Sequence, residues 1–290
     1  MSETDTPTAT AAGAVDVGVF PVNRMGFGAM RITGPGVWGQ PQDPEECRRV
    51  LRRALELGVN FIDTADSYGP HVSEELIADT LHPYPEGLVI GTKAGLTRSA
   101  PGAWESDCSP AHLREAVEGS LRRLRVDQVQ VLQLHTVDRR VPYEESVGTL
   151  VELQREGKIL EIGLCNVGTT QLRQAMELTP VVSVQNRYNV ADRASERVLA
   201  MCEENRIPFI PWFPVGAGNL TAPDGPLARF GQKHRATPAQ VALAWLLHLS
   251  GMMLPIPGTS KVGHLEENVA AAAIRLDPED LRELDQLAPA

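Results

Sequence analysis

The chain has 290 residues, with 27 Lys and Arg against 37 Asp and Glu and a formal net charge of −10. The acidic balance, with no basic cluster larger than one helix face, excludes a nucleic-acid partner, and no apolar run approaches the ~20 residues of a membrane span. Cys47, Cys108, Cys165 and Cys202 form no close pair, which fits reduced thiols in a cytoplasmic protein rather than a disulfide framework or a metal site.

Residues 1–13 are small and polar without an apolar signal core, and are expected to form a disordered tail. Residues 15–22 alternate weakly and contain Pro21, which suits a short hairpin ahead of the main fold. Residues 25–30 read as the first buried strand, and the Gly- and Pro-punctuated stretch 34–39 as a loop. A helix then starts with Asp43 as N-cap, Pro44 at the first helical position and Glu46 completing a capping box. Cys47, Val50, Leu51, Ala54 and Leu55 form its apolar stripe, and Gly58 stops it. The same start signal recurs at Ser109-Pro110, Thr237-Pro238 and Asp277-Pro278. Further short β-rich runs lie at 59–62, 88–91, 129–134, 159–164, 181–185, 207–210 and 252–256. Helical patterns separate them at 73–81, 110–125, 144–156, 170–178, 194–205 and 238–249.

Eight strands alternating with helices predict an α/β fold of the (β/α)8 TIM-barrel type, with an N-terminal β-hairpin and extra C-terminal helices. A doubly wound sheet is the competing architecture, but no GxGxxG follows an early strand. A single unit of this size buries roughly 75% of its unfolded-chain surface. With no linker or composition shift, residues 14–290 read as one domain.

The stretch 59–69, VNFIDTADSYG, carries the chemistry. In a parallel barrel the C-terminal strand ends converge on one mouth. Asp63 ends the second strand with Tyr68 on the loop behind it, Lys93 follows the third strand and His135 the fourth. A tyrosine with an ordinary pKa near 10 is a poor acid at neutral pH, and a neighbouring ammonium moves it toward a useful range. Asp63 keeps Lys93 charged, and His135 can donate to an oxygen lying between it and Tyr68. Such a group polarises a carbonyl oxygen and protonates it. With no Ser or Cys nucleophile and no metal set among these positions, the electron pair has to come from a cofactor.

In order, VNFIDTADSYG, VIGTKAG, LQLH, EIGLCN, VQNRYN and IPGTSKVGHLEENV resemble the aldo-keto reductases over essentially the whole chain from about residue 15. The resemblance implies a catalytic tetrad of Asp63, Tyr68, Lys93 and His135, with Tyr68 as general acid. It also implies reduced nicotinamide as hydride source, usually NADPH, with NADH as the alternative. By motif, Asn166, Cys165 (where many members have Ser) and Gln185 would hold the carboxamide. Trp212 would stack on the nicotinamide in place of the usual Tyr. Phe213 stands where a Ser commonly binds the pyrophosphate, leaving a backbone contact, and Pro214, Val215 and Gly216 continue that turn. Ala29, Met30, Arg31 and Asp63 would also contact the cofactor. Gly258, Thr259, Ser260, Lys261, His264, Glu267 and Asn268 would surround the adenosine phosphate and adenine. His264 replaces a frequent Arg and is a weaker phosphate anchor than a guanidinium fork, while Lys261 can supply charge.

The implied substrate is a small carbonyl compound, with a mouth built from Arg31, Trp38, Tyr68, His71, Trp104, His135 and residues 136–140, and Trp212 opposite. Residues 34–43, 67–85 and 210–218 are similar to a bacterial subgroup that includes pyridoxal reductases, which narrows the expectation to pyridoxal-type or other aromatic aldehydes. Taken singly, a strand-end Asp is usually a turn former, a loop Tyr packing and a lone His structural; their conjunction favours a site. His112, His234 and His248 read as surface or helix-terminal residues and His82 as loop. Two other classes remain: a nicotinamide-binding regulatory or interaction module with vestigial catalysis, and a barrel aldolase using Lys93 as a Schiff base. The expected protein is a monomer or weak homo-oligomer.

Overall fold

A computed structural model describes residues 7–216, 218–222 and 224–287. After a 3-10 turn at Ala9–Ala12 come β1 (Ala14–Val17), β2 (Phe20–Asn23), β3 (Phe27–Gly28), α1 (Pro44–Glu56), β4 (Phe61–Asp63), α2 (Val72–Leu81) and β5 (Val89–Ala94). The short pair β6 (Leu96–Thr97) and β7 (Glu105–Ser106) precedes α3 (Pro110–Leu124), β8 (Val129–Leu134), α4 (Tyr143–Arg155), β9 (Ile159–Cys165) and α5 (Thr169–Leu178). The chain continues through β10 (Ser183–Arg187), α6 (Glu196–Glu204), β11 (Phe209–Trp212), α7 (Ala228–His234), α8 (Pro238–Leu249), α9 (Val262–Ala270) and α10 (Pro278–Asp285). The oxygen-then-proline starts work as written in the sequence. Asp43 accepts from Glu46 N at 2.9 Å, Thr237 from Gln240 N at 3.3 Å, and Asp277 from Asp280 N at 2.9 Å, satisfying orphan donors of the first turn.

Seven strands form one parallel sheet in the order β11-β10-β9-β8-β5-β4-β3. The expected eighth strand, 252–256, closes the barrel without joining a ladder. Phe209 N donates to Met252 O at 2.8 Å, Leu254 N to Phe209 O at 2.9 Å, and Gly26 N to Pro255 O at 3.0 Å. Pro255 and Pro257 have no N–H to continue the pairing. The first strand is likewise shorter than the expected 25–30, because the chain turns into a 3-10 helix at Ala29–Ile32. Gly28 permits this seam: a Cβ there would lie 2.5 Å from Ile256 O.

Side chains alternate across each strand. Outward Ile62, Leu132, Ile162 and Val184 meet the helices. Inward Phe61, Val89, Val131, Ile210 and Leu254 pack with Val15, Val17 and Val22, so the β1–β2 hairpin plugs the N-terminal end of the barrel. Above this apolar layer the inward positions become polar, and the site begins there.

The expected tail at 1–13 needs correction for its second half. Ala9 is fully buried and its N–H donates to Leu57 O at 2.8 Å, while Ala12 O accepts from Arg24 Nε at 3.0 Å. Small residues are what allow this turn to lie against the C-terminal end of α1. Residues 1–6 lie outside the described residues.

Candidate active site

Register brings the polar inward residues together. Gly28 pairs with Asp63, Asp63 with Gly91, and Lys93 with Gln133 along neighbouring strands. Asp63 is the last residue of β4, His135 directly follows β8, and Lys93 lies inside β5, which runs to Ala94 and not to Gly91 as expected. Lys93 Nζ donates to Asp63 Oδ2 at 2.6 Å, to Thr64 O at 2.8 Å and to Tyr68 Oη at 3.3 Å. The Tyr68 and His135 rings meet edge to face, with centroids 5.9 Å apart. All four side chains are buried.

The other carboxylate oxygen of Asp63 is held from behind. Gln133 Nε2 and Gln185 Nε2 donate to Oδ1 at 2.9 and 2.8 Å. Gln133 Oε1 in turn accepts from the Cys165 thiol at 3.6 Å. Gln133 reaches inward because Gly163 faces it: a Cβ there would stand 2.9 Å from Gln133 Cγ. Gln133 carries no expected role despite standing in the LQLH motif; its partner is 70 residues away, and only strand register reveals it.

Protonation follows from burial and charge. Burial is the largest single influence on the Lys93 ammonium and pushes it down, but the Asp63 carboxylate, Tyr68 and Cys165 together hold the group above the ordinary lysine value. Tyr68 departs from expectation: burial outweighs the nearby ammonium and raises the phenol to about 12. The phenol is therefore fully protonated at neutral pH. Burial, then the Lys93 charge, drive His135 well below the usual imidazole range, so the ring is neutral. Ser67 Oγ lies 3.4 Å from its Nδ1; a hydroxyl donating there leaves the proton on Nε2.

Beside this cluster opens a cavity of about 560 Å³ that runs from Asp63 and Tyr68 to His264, Glu267 and Asn268 on α9. Met30, Arg31, Gln185, Trp212, Phe213, Pro214, Val215, Gly216 and Gly258 also line it, as the motifs imply. Ser260 and Lys261 stand on a second cavity of about 340 Å³ that shares Met30 and Arg31 with the first. Ala29 and Thr259 are buried: Ala29 O accepts from Ser73 Oγ at 3.1 Å, and Thr259 Oγ1 from Lys261 N at 3.1 Å. Cys165 is buried behind Gln133. Asn166 has its amide committed elsewhere, donating to His135 O at 3.0 Å and accepting from Trp212 Nε1 at 2.9 Å. These four expected cofactor residues do not form the main cavity wall. Thr221, Thr237, Pro238 and Ala239 do, and Thr237-Pro238 signals in sequence only a helix start.

On the mouth side, Trp104 meets the edge of Tyr68 at a centroid distance of 6.5 Å, and Trp38 pairs by a backbone bridge with Gly69. His71 is exposed at the start of α2, and Arg140 is tied to Asp138.

The profile of the Aldo/keto reductase family matches residues 24–289. The chain is 43% identical over 275 residues to pyridoxine 4-dehydrogenase of Escherichia coli (strain K12), covering 93% of this chain and 96% of that protein. It is 48% identical over 278 residues to an uncharacterized oxidoreductase of Schizosaccharomyces pombe, covering 96% and 90%. Among solved structures, the glycerol dehydrogenase of Gluconobacter oxydans superposes with a TM-score of 0.84 at 26% identity, over 96% of this chain and 95% of that one. An aldo-keto reductase of Klebsiella pneumoniae in complex with NADPH superposes with a TM-score of 0.78 at 25% identity, over 93% of each chain. With a profile match that runs the length of the barrel, the chain belongs to the Aldo/keto reductase family.

Proposed function

We propose that the protein is an NADPH-dependent oxidoreductase that reduces aldehydes and ketones to alcohols, with Tyr68 as the proton donor. The observation that carries this reading is Lys93 Nζ, hydrogen-bonded to Asp63 and to the Tyr68 phenol at the base of an open cavity. The cavity suits a dinucleotide. Trp212 offers a flat aromatic wall beside the tetrad, Gln185 spends its Nε2 on Asp63 and keeps Oε1 for an amide donor, and His264 lies at the far end with Lys261 on the adjoining smaller cavity. NADH is the alternative, because Glu46 Oε1 takes the Val262 N–H at 3.0 Å and so sets a carboxylate beside Lys261, one of the residues that would hold a 2′-phosphate.

A bound reduced nicotinamide supplies the hydride to the carbonyl carbon. Everything else falls to the chain. His135 Nε2–H orients the carbonyl oxygen and Tyr68 gives it a proton as negative charge develops. The Lys93 ammonium then stabilises the phenolate left on Tyr68, and Asp63, fixed by Gln133 and Gln185, keeps Lys93 charged. The aromatic mouth at Trp38 and Trp104, together with 43% identity to pyridoxine 4-dehydrogenase, supports planar aldehydes of the pyridoxal type as substrates.

The test is NADPH oxidation with pyridoxal and 4-nitrobenzaldehyde, wild type beside Tyr68→Phe. Loss of about 10²–10⁴ in turnover with NADPH binding retained is expected for a missing general acid. Near-wild-type turnover in Tyr68→Phe would refute the mechanism. Tight NADPH binding with no turnover of either aldehyde by the wild type would point instead to a regulatory binding module.

A further inference from the structure

The mechanism leaves Arg98 unused, although it is the most heavily engaged cation at the mouth. Its Nε donates to Ala103 O at 2.7 Å, Nη1 to Val37 O at 3.0 Å and to Ser67 O at 3.4 Å, and Nη2 to Gly36 O at 3.0 Å. Every acceptor is a backbone carbonyl, and among the described residues no carboxylate lies within ion-pair distance of it. The carbonyls belong to three loops: the one after the Ala29–Ile32 turn, the one carrying Tyr68, and the β6–β7 turn. The guanidinium carbon also stands 3.7 Å over the Trp104 ring centroid and 5.6 Å from that of Trp38. Trp104 is 40% exposed and also makes an edge contact with Tyr68.

A side chain at a solvent-facing mouth would ordinarily sample several rotamers, and an indole there would offer no fixed wall. Arg98 removes that freedom. Its planar fork suits simultaneous hydrogen bonding and stacking in a way that a lysine cannot reproduce. The cation is covered by an indole and ringed by carbonyls, so it is poorly placed to pair with a substrate anion. Its effect has to pass through the rings it holds.

We infer that Arg98 is a specificity-determining positioning residue, which locks Trp104 and Trp38 into an aromatic wall beside Tyr68 and so selects planar aromatic aldehydes over small aliphatic ones. The inference rests on the reductase reading and adds to it the residue that sets substrate class. Trp104 and Trp38 would touch the substrate ring, and Arg98 acts only through them.

The experiment compares Arg98→Ala, Arg98→Lys, Trp104→Ala and the Arg98→Ala/Trp104→Ala double variant with wild type. Steady-state KM and kcat are measured for 4-nitrobenzaldehyde and butyraldehyde, with NADPH affinity measured by fluorescence titration. Expected is a roughly 5–30-fold rise in the ratio of aromatic to aliphatic KM in Arg98→Ala, the span of a partly desolvated cation–π contact. Arg98→Lys keeps the charge without the fork and shows the same direction; it carries the test if the alanine variant fails to bind NADPH. The double variant falls short of the sum of the two single effects in this ratio, because Arg98 acts in part through Trp104. An equal fall in kcat on both aldehydes, an unchanged KM ratio, or fully additive effects in the double variant would each overturn the role of Arg98. No turnover of either aldehyde by wild type would overturn the reductase reading beneath it, a separate and recognisable result.

Discussion

Replacing Asp63 by asparagine keeps the shape of the site and removes its anion. In the wild type the carboxylate accepts from Lys93 on Oδ2 and from two glutamine amides on Oδ1. An asparagine has one acceptor oxygen, so its amide nitrogen must face donors on one side or the other. If the oxygen stays with the glutamines, the amide N–H₂ points at the Lys93 ammonium, which is fully buried. Breaking one partner out of a buried pair costs about 3–5 kcal/mol, which for a domain this large lowers Tm by roughly 10 °C.

The pH dependence of that loss has a definite sign. Asp63 holds the folded-state pKa of Lys93 above its ordinary value. The pair's contribution is therefore complete below about pH 10.4, the unfolded value, and is lost only as pH rises through the raised folded value. In Asp63→Asn the anion is gone and burial is the largest remaining influence on Lys93, so the folded-state pKa falls below the ordinary one. The variant then gains stability as pH rises through that depressed value, while the wild-type pair is flat. Thermal unfolding of both proteins by circular dichroism from pH 7 to 10 measures this directly. The Tm gap should narrow toward alkaline pH. A gap that is constant, or that widens, would refute the claim that Asp63 serves to keep a buried ammonium charged.

Two further outcomes follow from other parts of the fold. Gly28→Ala puts a Cβ against Ile256 O at the barrel seam, and the backbone must part to admit it; a loss of about 1–3 kcal/mol in denaturant unfolding is expected, and an unchanged midpoint would mean that the seam yields freely. Asp66 is buried with Oδ1 unpartnered, and burial, then the Glu74 charge, raise its pKa to about 8. With its folded pKa raised above the unfolded value, the stability it contributes is complete below about pH 3.9 and is lost as pH rises through about 8. Asp66→Asn should therefore gain in Tm over wild type progressively from pH 5 to 8.5, and parallel curves would contradict the burial argument.

Much of this protein could be read from residue order, because the signals are local. Ser, Thr or Asp before Pro marks a helix start through bonds made within one turn, and α1, α3, α8 and α10 begin there. Alternating strand and helix periods imply a parallel barrel, whose geometry sends the C-terminal strand ends to one mouth. Asp63 at its strand end with Tyr68 on the loop behind it, and Lys93 and His135 read as following the next two strands, needed only barrel geometry to be proposed as partners, and the structure brings the four together. The motif turns likewise point to most of the wall of the main cavity.

Tertiary structure decided what depends on distance across the barrel. Gln133 finds Asp63 through strand register, and Asn166 turns to Trp212 and His135 because those groups lie within reach. Ala9 belongs to the fold because α1 ends beside it. Arg98 gathers three loops that are remote in sequence. The protonation of Tyr68 is of the same kind: residue types name an ammonium near a phenol, but the outcome is a contest between that charge and the depth of burial. Depth is a property of the packed barrel, and here it keeps the proton on the phenol.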